Sequence, residues 1–550
     1  MTAKLVKERV MIVGGALLAA MVLHLVLIQP NHPDAVSWRA LLLFPLELPA
    51  ILLALIAFGQ GRLGSCFRLC LVAVLAVIAV LKAADFAMFL ALNRGFNLVA
   101  DFPLIASLYQ LTVGAFGPLA AALSVVAIML AVVGLFAALW WACGYWARLA
   151  VPVPVAVVSG VAATLMTAVA VVDVGARMGK WAAPTSIPGT AFTARVGVER
   201  YQMIRDTLAD LRNFRAEAQD DPFAQQDGLL DLVDRDVIIV FVESYGRTSF
   251  DTPLFADLHR ETLEAAETTL DAKGLSMAST YLISPTQGGQ SWLAHSSFAN
   301  GLWIDNQTSY HAALSSGRKT LFHLATQSGF GTAAVMPQIT LHWPESRSMG
   351  FDTILAAADL GYEGAAFNWI TMPDQFTFAA MDRFLRTPGA DDDPLFIQVA
   401  TGSSHAPWVP VPDLLDWDDL GDGTVFNPIV EASDTPREVW RDHDRVRAQY
   451  RLAVDYALQT VFAYAELHAE DPPLMLIIGD HQAAGFVALD ERPHVPLHIV
   501  GPEHLVGLLA DDGFSAGLIP DAETEPRPMS ALRAHLLNAL TSTNVRQAAR

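Results

Sequence analysis

The chain has 550 residues, 53% of them hydrophobic, with a mean hydropathy of +0.37, which excludes a single water-soluble domain. Through Gly175 it holds nine Lys/Arg against six Asp/Glu, and the remainder holds 26 against 50. An apolar, weakly basic front and an acidic back read as a membrane anchor followed by a water-exposed domain. The acidic back excludes nucleic acid as a partner, because phosphate binding needs a basic face. The three cysteines, Cys66, Cys70 and Cys143, all lie in the front part, so the back part has no disulfide.

In chain order, an apolar run from about Val10 to Gln29 follows Lys4, Lys7 and Arg9. It is long enough to span a bilayer, which takes about 20 residues. Further spans are expected over Ala40–Gly59, Cys66–Leu90, Leu111–Cys143 and Val151–Val172, making five, with a candidate turn at Gly117-Pro118. Arg62, Arg68 and Arg148 join the N-terminal basic residues in alternate connections, which should be cytoplasmic; Arg39 and Arg94 fall in the opposite ones. Five spans with the N-terminus inside place the acidic domain outside the cytoplasm. Lys82 and Asp85 sit late in the third span, before Asn93-Arg94-Gly95 and Asp101. Ionisable residues there are either functional or an interfacial pair of Lys82 with Asp85.

Residues 1–174 thus read as a transmembrane domain and 175–228 as a linker. Within the linker, Val196–Ala218 has the apolar stripe of an amphipathic helix. Residues 229–550 read as the catalytic domain. Strands are expected at Val237–Val242, Leu275–Ile283, Gly331–Met336, Leu395–Ala400, Leu474–Ile478 and Val495–Val500. Helices are expected at Leu258–Ala272, Trp292–Asn300, Thr320–Ser328, Phe376–Leu385 and Arg445–His468. The alternation implies an α/β sandwich with a mainly parallel sheet. Asp413–Asp434 reads as a surface loop and Met529–Arg550 as a short helix with a frayed end.

Four strand ends carry polar groups. Val237–Val242 runs into Glu243, either a metal ligand or a cap. Ile477-Ile478-Gly479 runs into Asp480-His481, an oxygen and imidazole pair that suits a divalent ion such as zinc or manganese. Ser284–Ser291 holds two glycines and ends where a helix starts, a position that favours anions. Ser291 is therefore an N-cap, a nucleophile or both, and Thr286 is the competing hydroxyl. Leu395–Ala400 leads to His405, which could donate to a phosphoryl oxygen or protonate a leaving oxygen. His494 and His498, with Trp343 and Arg347, are further candidates for contacts to a head group or to the site wall.

Taken together, the spans, the linker helix and the motifs Val242-Glu243-Ser244, Gly289-Gln290-Ser291, Ser403-Ser404-His405-Ala406-Pro407 and Gly479-Asp480-His481 resemble the membrane-anchored phosphotransferases of the alkaline phosphatase/sulfatase superfamily. These include lipoteichoic acid synthases, phosphoglycerol transferases of periplasmic glucans and phosphoethanolamine transferases. The resemblance implies a sulfatase-like fold and a divalent ion (Mn, Zn or Mg) held by Glu243, Asp480, His481 and Ser291. It implies Ser291 as nucleophile, where the family usually has Thr, and His405 beside the transferred phosphate. Gly301-Leu302 follows Ser291 at a spacing similar to the glucan enzymes, which favours Ser291 over Thr286, and Arg94–Asn97 with Asp101 is similar to a loop of these anchors.

The resemblance also implies a phospholipid donor, a glycan or lipid-linked sugar acceptor, and an inner-membrane location with a periplasmic catalytic domain. The Cys/Ser-x-Pro-x-Arg signature of sulfatases is absent, which argues against sulfate ester hydrolysis. The lack of cysteine in the back part shifts weight from phosphoethanolamine to phosphoglycerol transfer. The Trp-x-Arg pair of lipoteichoic acid synthases reads Trp343-Pro344-Glu345 here, so Trp343, Arg347 and His494 are expected to contact the head group differently. The alternatives are a periplasmic phosphodiesterase or phosphatase, a phosphoethanolamine transferase, and an inactive scaffold that binds no metal.

Overall fold

A computed structural model describes residues 2–92, 94–102, 104–182, 188–340, 343, 345–367, 370–386 and 393–542. Asn93, Pro344 and the last residues of the expected tail helix lie outside these, and so do the side chains of Lys4, Lys7, Arg9 and Arg39. The chain divides into two compact units, Met1–Asp210 and Leu211–Arg550.

The first unit is helical: α1 (Thr2–Ile28), α2 (Glu47–Phe58), α3 (Arg62–Leu92), α4 (Leu104–Phe116), α5 (Pro118–Ala147), α6 (Val153–Arg177) and the start of α7 (Phe192–Gln219). Among the described residues four helices are long and apolar enough to cross a membrane: Val10–Ile28, Arg62–Leu90, Pro118–Ala147 and Val153–Arg177. This corrects the expected five. The span expected over Ala40–Gly59 becomes a 3-10 turn, Trp38–Leu42, and the 12-residue α2. Pro45 stops the helix from extending backwards, and α2 is about 18 Å long against a hydrocarbon core of about 30 Å. The span expected over Leu111–Cys143 is broken at Gly117, whose φ of 84° only glycine adopts readily, and Pro118 opens α5.

Hydrogen bonds sort the helix ends into two groups. At one, the Tyr145 hydroxyl donates to Ile12 O (3.1 Å), Trp146 Nε1 donates to Ala16 O (3.2 Å), and Arg68 packs over the Trp140 ring beside Gly144. At the other, buried Lys82 donates to Leu27 O (3.1 Å) and Thr193 Oγ1 (2.7 Å), while Asp173 accepts from the Ala191 N–H (2.8 Å). Lys82 therefore does not pair with Asp85, correcting that expectation. Asp85 pairs with Arg200 and accepts from the Phe96 N–H, and Asp101 takes two hydrogen bonds from Arg94. α2 starts at this second end, where Leu46 N–H donates to Thr190 O (3.1 Å) and Ala194 N–H to Glu47 Oε1 (2.9 Å). It finishes at the first end, where Phe58 meets Phe67.

The second unit is built on a nine-stranded sheet. Its strands are β1 (Val237–Val242), β2 (Ser276–Ile283), β3 (Gly331–Met336), β4 (Thr353–Ala356), β5 (Leu395–Ala400), β6 (Leu474–Gly479), β7 (His494–Gly501), β8 (Ser515–Ala516) and β9 (Arg527–Pro528). The order is β4-β3-β5-β1-β6-β7-β2-β8, with β9 against β2. From β4 to β6 every pairing is parallel; β7 is antiparallel to both β6 and β2, so β2 again points the same way as β6. β1 is buried at every position. Val237, Ile239 and Phe241 face one core with Phe298 and Phe322, and Ile238, Val240 and Val242 face the other with Tyr450 and Val454. This two-residue alternation with helices on both faces explains why the run is continuously apolar.

All six expected strands form, and helices stand over Pro253–Ala272, Ser291–Asn300, Leu321–Gln327, Asp374–Leu385 and His443–Leu467. The expected surface loop over Asp413–Asp434 carries short helical turns and buries Leu420 and Phe426 in the core. The tail forms the helix Ala531–Ala539.

Candidate active site

The site forms where β1, β2, β5 and β6 end on one edge of the sheet. That is where an open α/β sheet leaves a crevice. Backbone bonds tie these ends together: Asp480 N–H donates to Val242 O (3.2 Å), Thr401 N–H to Phe241 O (2.9 Å) and Gly288 N–H to Gln482 O (2.8 Å). The Ser284 hydroxyl donates to Asp480 O at 2.6 Å. Two of the five non-glycine residues with positive φ among the described residues flank site residues, Ser244 (φ 57°) after Glu243 and Gln290 (φ 66°) before Ser291. Such backbone is disfavoured for L-residues, and here it turns the chain sharply at both functional positions. Ser291 opens the helix Ser291–Asn300 directly after that turn.

Glu243, Asp480 and His481 converge: one ligand atom from each lies within 4.8 Å of the others, and all three residues are buried. Ser291 Oγ donates to Glu243 Oε2 at 2.9 Å. Asp480 Oδ1 accepts from the N–H groups of Ser244 (2.9 Å) and His481 (2.6 Å). His481 Nδ1 donates to Gln482 O (3.0 Å), which turns Nε2 toward the carboxylates. That Nε2 lies 3.2 Å from Glu243 Oε1 and has no hydrogen-bond partner among the described residues. Two carboxylates and an oriented imidazole, once it gives up the Nε2 proton, are the donor set of a divalent ion, so the residues present fit one.

The electrostatics agree. Burial raises the Glu243 carboxyl, but the charges of His481 and His405 outweigh it and hold it well below the usual carboxylate range. Burial and the Glu243 charge push Asp480 well above that range. Burial opposes a charge on His481, yet Asp480 and Glu243 hold it up at about 9. The cluster is a concentrated negative site that draws a proton when no other cation neutralises it.

A pocket of about 310 Å³ opens on the cluster, lined by Glu243, Ser291, His405, Trp343 and Asp480 among others. His405 Nδ1 donates to Ala406 O at 2.5 Å. Thr286 does not line the pocket; its hydroxyl donates to Gly289 O (2.6 Å) and braces the turn before Ser291. Arg347 is exposed and does not line it either, because the short helix Ser346–Met349 turns Ser346 and Met349 inward. His494 begins β7 opposite Ile283 and lies outside the pocket lining. His498 is buried between the Tyr245 hydroxyl (3.0 Å) and Ser279 Oγ (2.8 Å), and burial lowers its pKa to about 3.

Two pocket or support residues give no signal in the sequence pattern. His295, one helical turn after Ser291, lines the pocket; it packs on Phe241 at 4.0 Å between ring centroids, and burial lowers its pKa to about 4. Only its i+4 spacing from Ser291 could have indicated it. Asp374 accepts from the N–H groups of Gly402 (2.6 Å) and Ser403 (3.0 Å) and so clamps the loop that carries His405. Burial raises its pKa to about 6. In sequence it reads as an ordinary first-turn carboxylate.

Residues 235–502 match the model of the sulfatase family. No curated protein matches the chain. Among solved structures the chain is similar to the lipoteichoic acid synthase LtaP from Listeria monocytogenes, at 14% identity over 60% of this chain and 78% of that one, with a TM-score of 0.37. It is similar to the Streptococcus pyogenes phosphoglycerol transferase GacH in complex with sn-glycerol-1-phosphate, at 13% identity over 60% and 81%, with a TM-score of 0.35. It is also similar to the C-terminal periplasmic domain of EcEptC from Escherichia coli, at 15% identity over 54% and 80%, with a TM-score of 0.35.

Proposed function

We propose that this chain, whose residues 235–502 match the sulfatase family model, moves a phospholipid head group, phosphoglycerol first, onto a sugar hydroxyl. The observation that carries the reading is the Ser291 hydroxyl, set at a helix start and bonded at 2.9 Å to a carboxylate of the Glu243–Asp480–His481 cluster. A serine without a neighbouring base is a weak nucleophile. A divalent ion (Mn, Zn or Mg) held by Glu243, Asp480 and His481 would supply Lewis-acid lowering of the hydroxyl pKa.

In the first step the Ser291 hydroxyl gives its proton to water, its Oγ forms a bond to the head-group phosphorus, and the bond to the diacylglycerol oxygen breaks. The departing oxygen takes a proton, for which His405 in the pocket wall is the donor. In the second step the sugar hydroxyl gives its proton to His405, its oxygen bonds to the phosphorus of the seryl phosphodiester, and Ser291 Oγ leaves and takes a proton from water. Trp343 lines the space beside the cluster and bounds the head group.

The membrane side of the proposal has its own support. Four long helices alone would return the chain to its starting side. α2, though short, runs from the Glu47 end of the bundle to the Phe58 end, so direction still reverses over α1, α2, α3, α5 and α6. Arg68 and Arg148 lie at the end shared with Ile12 and Ala16. The positive-inside bias makes that end cytoplasmic, and the catalytic unit is then extracytoplasmic, periplasmic in a cell with an inner membrane.

The test uses the full chain in lipid nanodiscs with phosphatidylglycerol labelled in its head group and a glucan acceptor. Labelled glucan and released diacylglycerol, both lost in S291A, are the expected result. Free phosphoglycerol without labelled glucan would make it a hydrolase instead.

A further inference from the structure

The short α2 leaves α6 partly uncovered. α6 has 25 residues and α2 has 12, so much of the α6 face is not covered by α2. Along it run two adjoining cavities, of about 1310 and 480 Å³, which share Ala50, Ile51, Thr167 and Val171 as walls. The larger one is lined by apolar residues apart from Thr164 and Thr167 and reaches Phe58 and Val153 at the end read as cytoplasmic. The smaller one ends against Glu47, Lys180, Trp181 and Gln202. The groove is therefore apolar along its length and polar at one end.

Glu47 makes that end specific. It is 9% exposed and lines the smaller cavity. Its Oε1 accepts from the Ala194 N–H (2.9 Å), while its buried Oε2 has no hydrogen-bond partner among the described residues. Lys82 acts on it as a nearby charge but does not donate to it; its ammonium donates to Leu27 O and Thr193 Oγ1. A buried carboxylate oxygen without a donor is a standing demand for one. The exposed Lys180 beside it offers a cation.

We propose that this groove is a binding site for one glycerophospholipid, with an acyl chain along α6 and a head group whose hydroxyl or ammonium hydrogens reach Glu47 Oε2. The polarity of the groove matches that of the molecule: alkyl chain against Ala54, Gly160 and Thr164, phosphate near Lys180, head-group donor at Glu47. The site rests on the membrane reading of the four long helices and not on the transfer reaction.

The experiment measures retained lipid on the full chain by native mass spectrometry, after exchange into detergent with one probe lipid at a time. The probes are phosphatidylglycerol (hydroxyl donors), phosphatidylethanolamine (ammonium donors) and phosphatidylcholine (no donor). At least one donor-bearing lipid should bind about tenfold or more tighter than phosphatidylcholine. E47Q keeps the acceptor for Ala194 N–H and removes the charge, so it should reduce that preference severalfold. T167W fills the groove and should abolish retention, and G160W does the same from the other end if T167W fails to fold. Equal retention of all three lipids by the wild-type chain, an unchanged preference in E47Q, or full retention in a folded groove-filling variant would each overturn the proposal. No turnover is read, so these outcomes leave the Ser291 chemistry to its own test.

Discussion

Buried carboxylates at one end of the membrane unit and at the candidate active site are answered in opposite ways. In the membrane unit Asp85 meets Arg200, Asp101 meets Arg94, and Asp173 meets Arg177, each with a backbone N–H as a further donor. Each charge is answered by a cation: Arg200 reaches Asp85 from another helix, Arg94 precedes Asp101 in the adjoining loop, and Arg177 lies one turn beyond Asp173 on the same helix. In the catalytic unit Glu243 and Asp480 face each other, with His481 as their neighbouring base and the Ser291 hydroxyl as a donor. A structural pair neutralises itself, whereas a site leaves charge for something else to neutralise. Glu47 differs in one respect: the charge of Lys82 acts on it, but its Oε2 has no hydrogen-bond partner among the described residues, and the proposed lipid site rests on that.

The largest effect should come from the hydroxyl. If Ser291 carries the transferred group as proposed, S291A should lower transfer by about a thousandfold or more, while bound metal measured by elemental analysis persists. Next, E243Q should weaken metal binding by at least about a hundredfold, read by competition with a fluorescent chelator. The fold should survive, since β1 owes its burial to Val237–Val242. D85A sharpens the contrast from the other side. It strands Arg200, whose side chain is 14% exposed, and should destabilise the membrane unit by about 3–5 kcal/mol in a thermal melt, with metal content of the catalytic unit unchanged.

The site should also show itself in pH. His481, held up at about 9, binds its proton more tightly folded than unfolded. The metal-stripped protein therefore has this stabilisation in full below about pH 6.5 and loses it as pH rises through about 9. Metal affinity should move the other way, rising over the same window as the ligand sheds its proton. Melting temperatures of stripped and loaded protein should diverge as pH rises, and parallel profiles would contradict the account. The smallest effect should be T286V, which removes one hydrogen bond to Gly289 O and should cost about 1 kcal/mol while leaving Ser291 reactive.

Much of this was legible in the sequence because burial on both faces writes a strand plainly. β1 and β6 each form a run without a polar side chain, and β5 one interrupted only by Gln398, all ending in the polar groups of the site. β4, with mostly half-exposed residues, and the two-residue β8 and β9 leave no such trace. Hydropathy counted Ala40–Gly59 as a span because it weighs Pro45 and Glu47 lightly, although together they set where α2 begins. His295 and Asp374 escaped because their places come from a helix register and a loop clamp, and both are tertiary facts. Arg347 suggested itself by nearness in sequence to Trp343, but a four-residue helix turns it to solvent.

The central claim is that Ser291 carries the transferred group. The most direct measurement is tandem mass spectrometry of the intact protein, acid-quenched after exposure to phosphatidylglycerol without acceptor and then digested. A phosphoglycerol mass on the peptide containing Ser291, absent in S291A and discharged by added glucan, is the result expected. An adduct on Thr286 or His405, or turnover with no adduct on any residue, would contradict it.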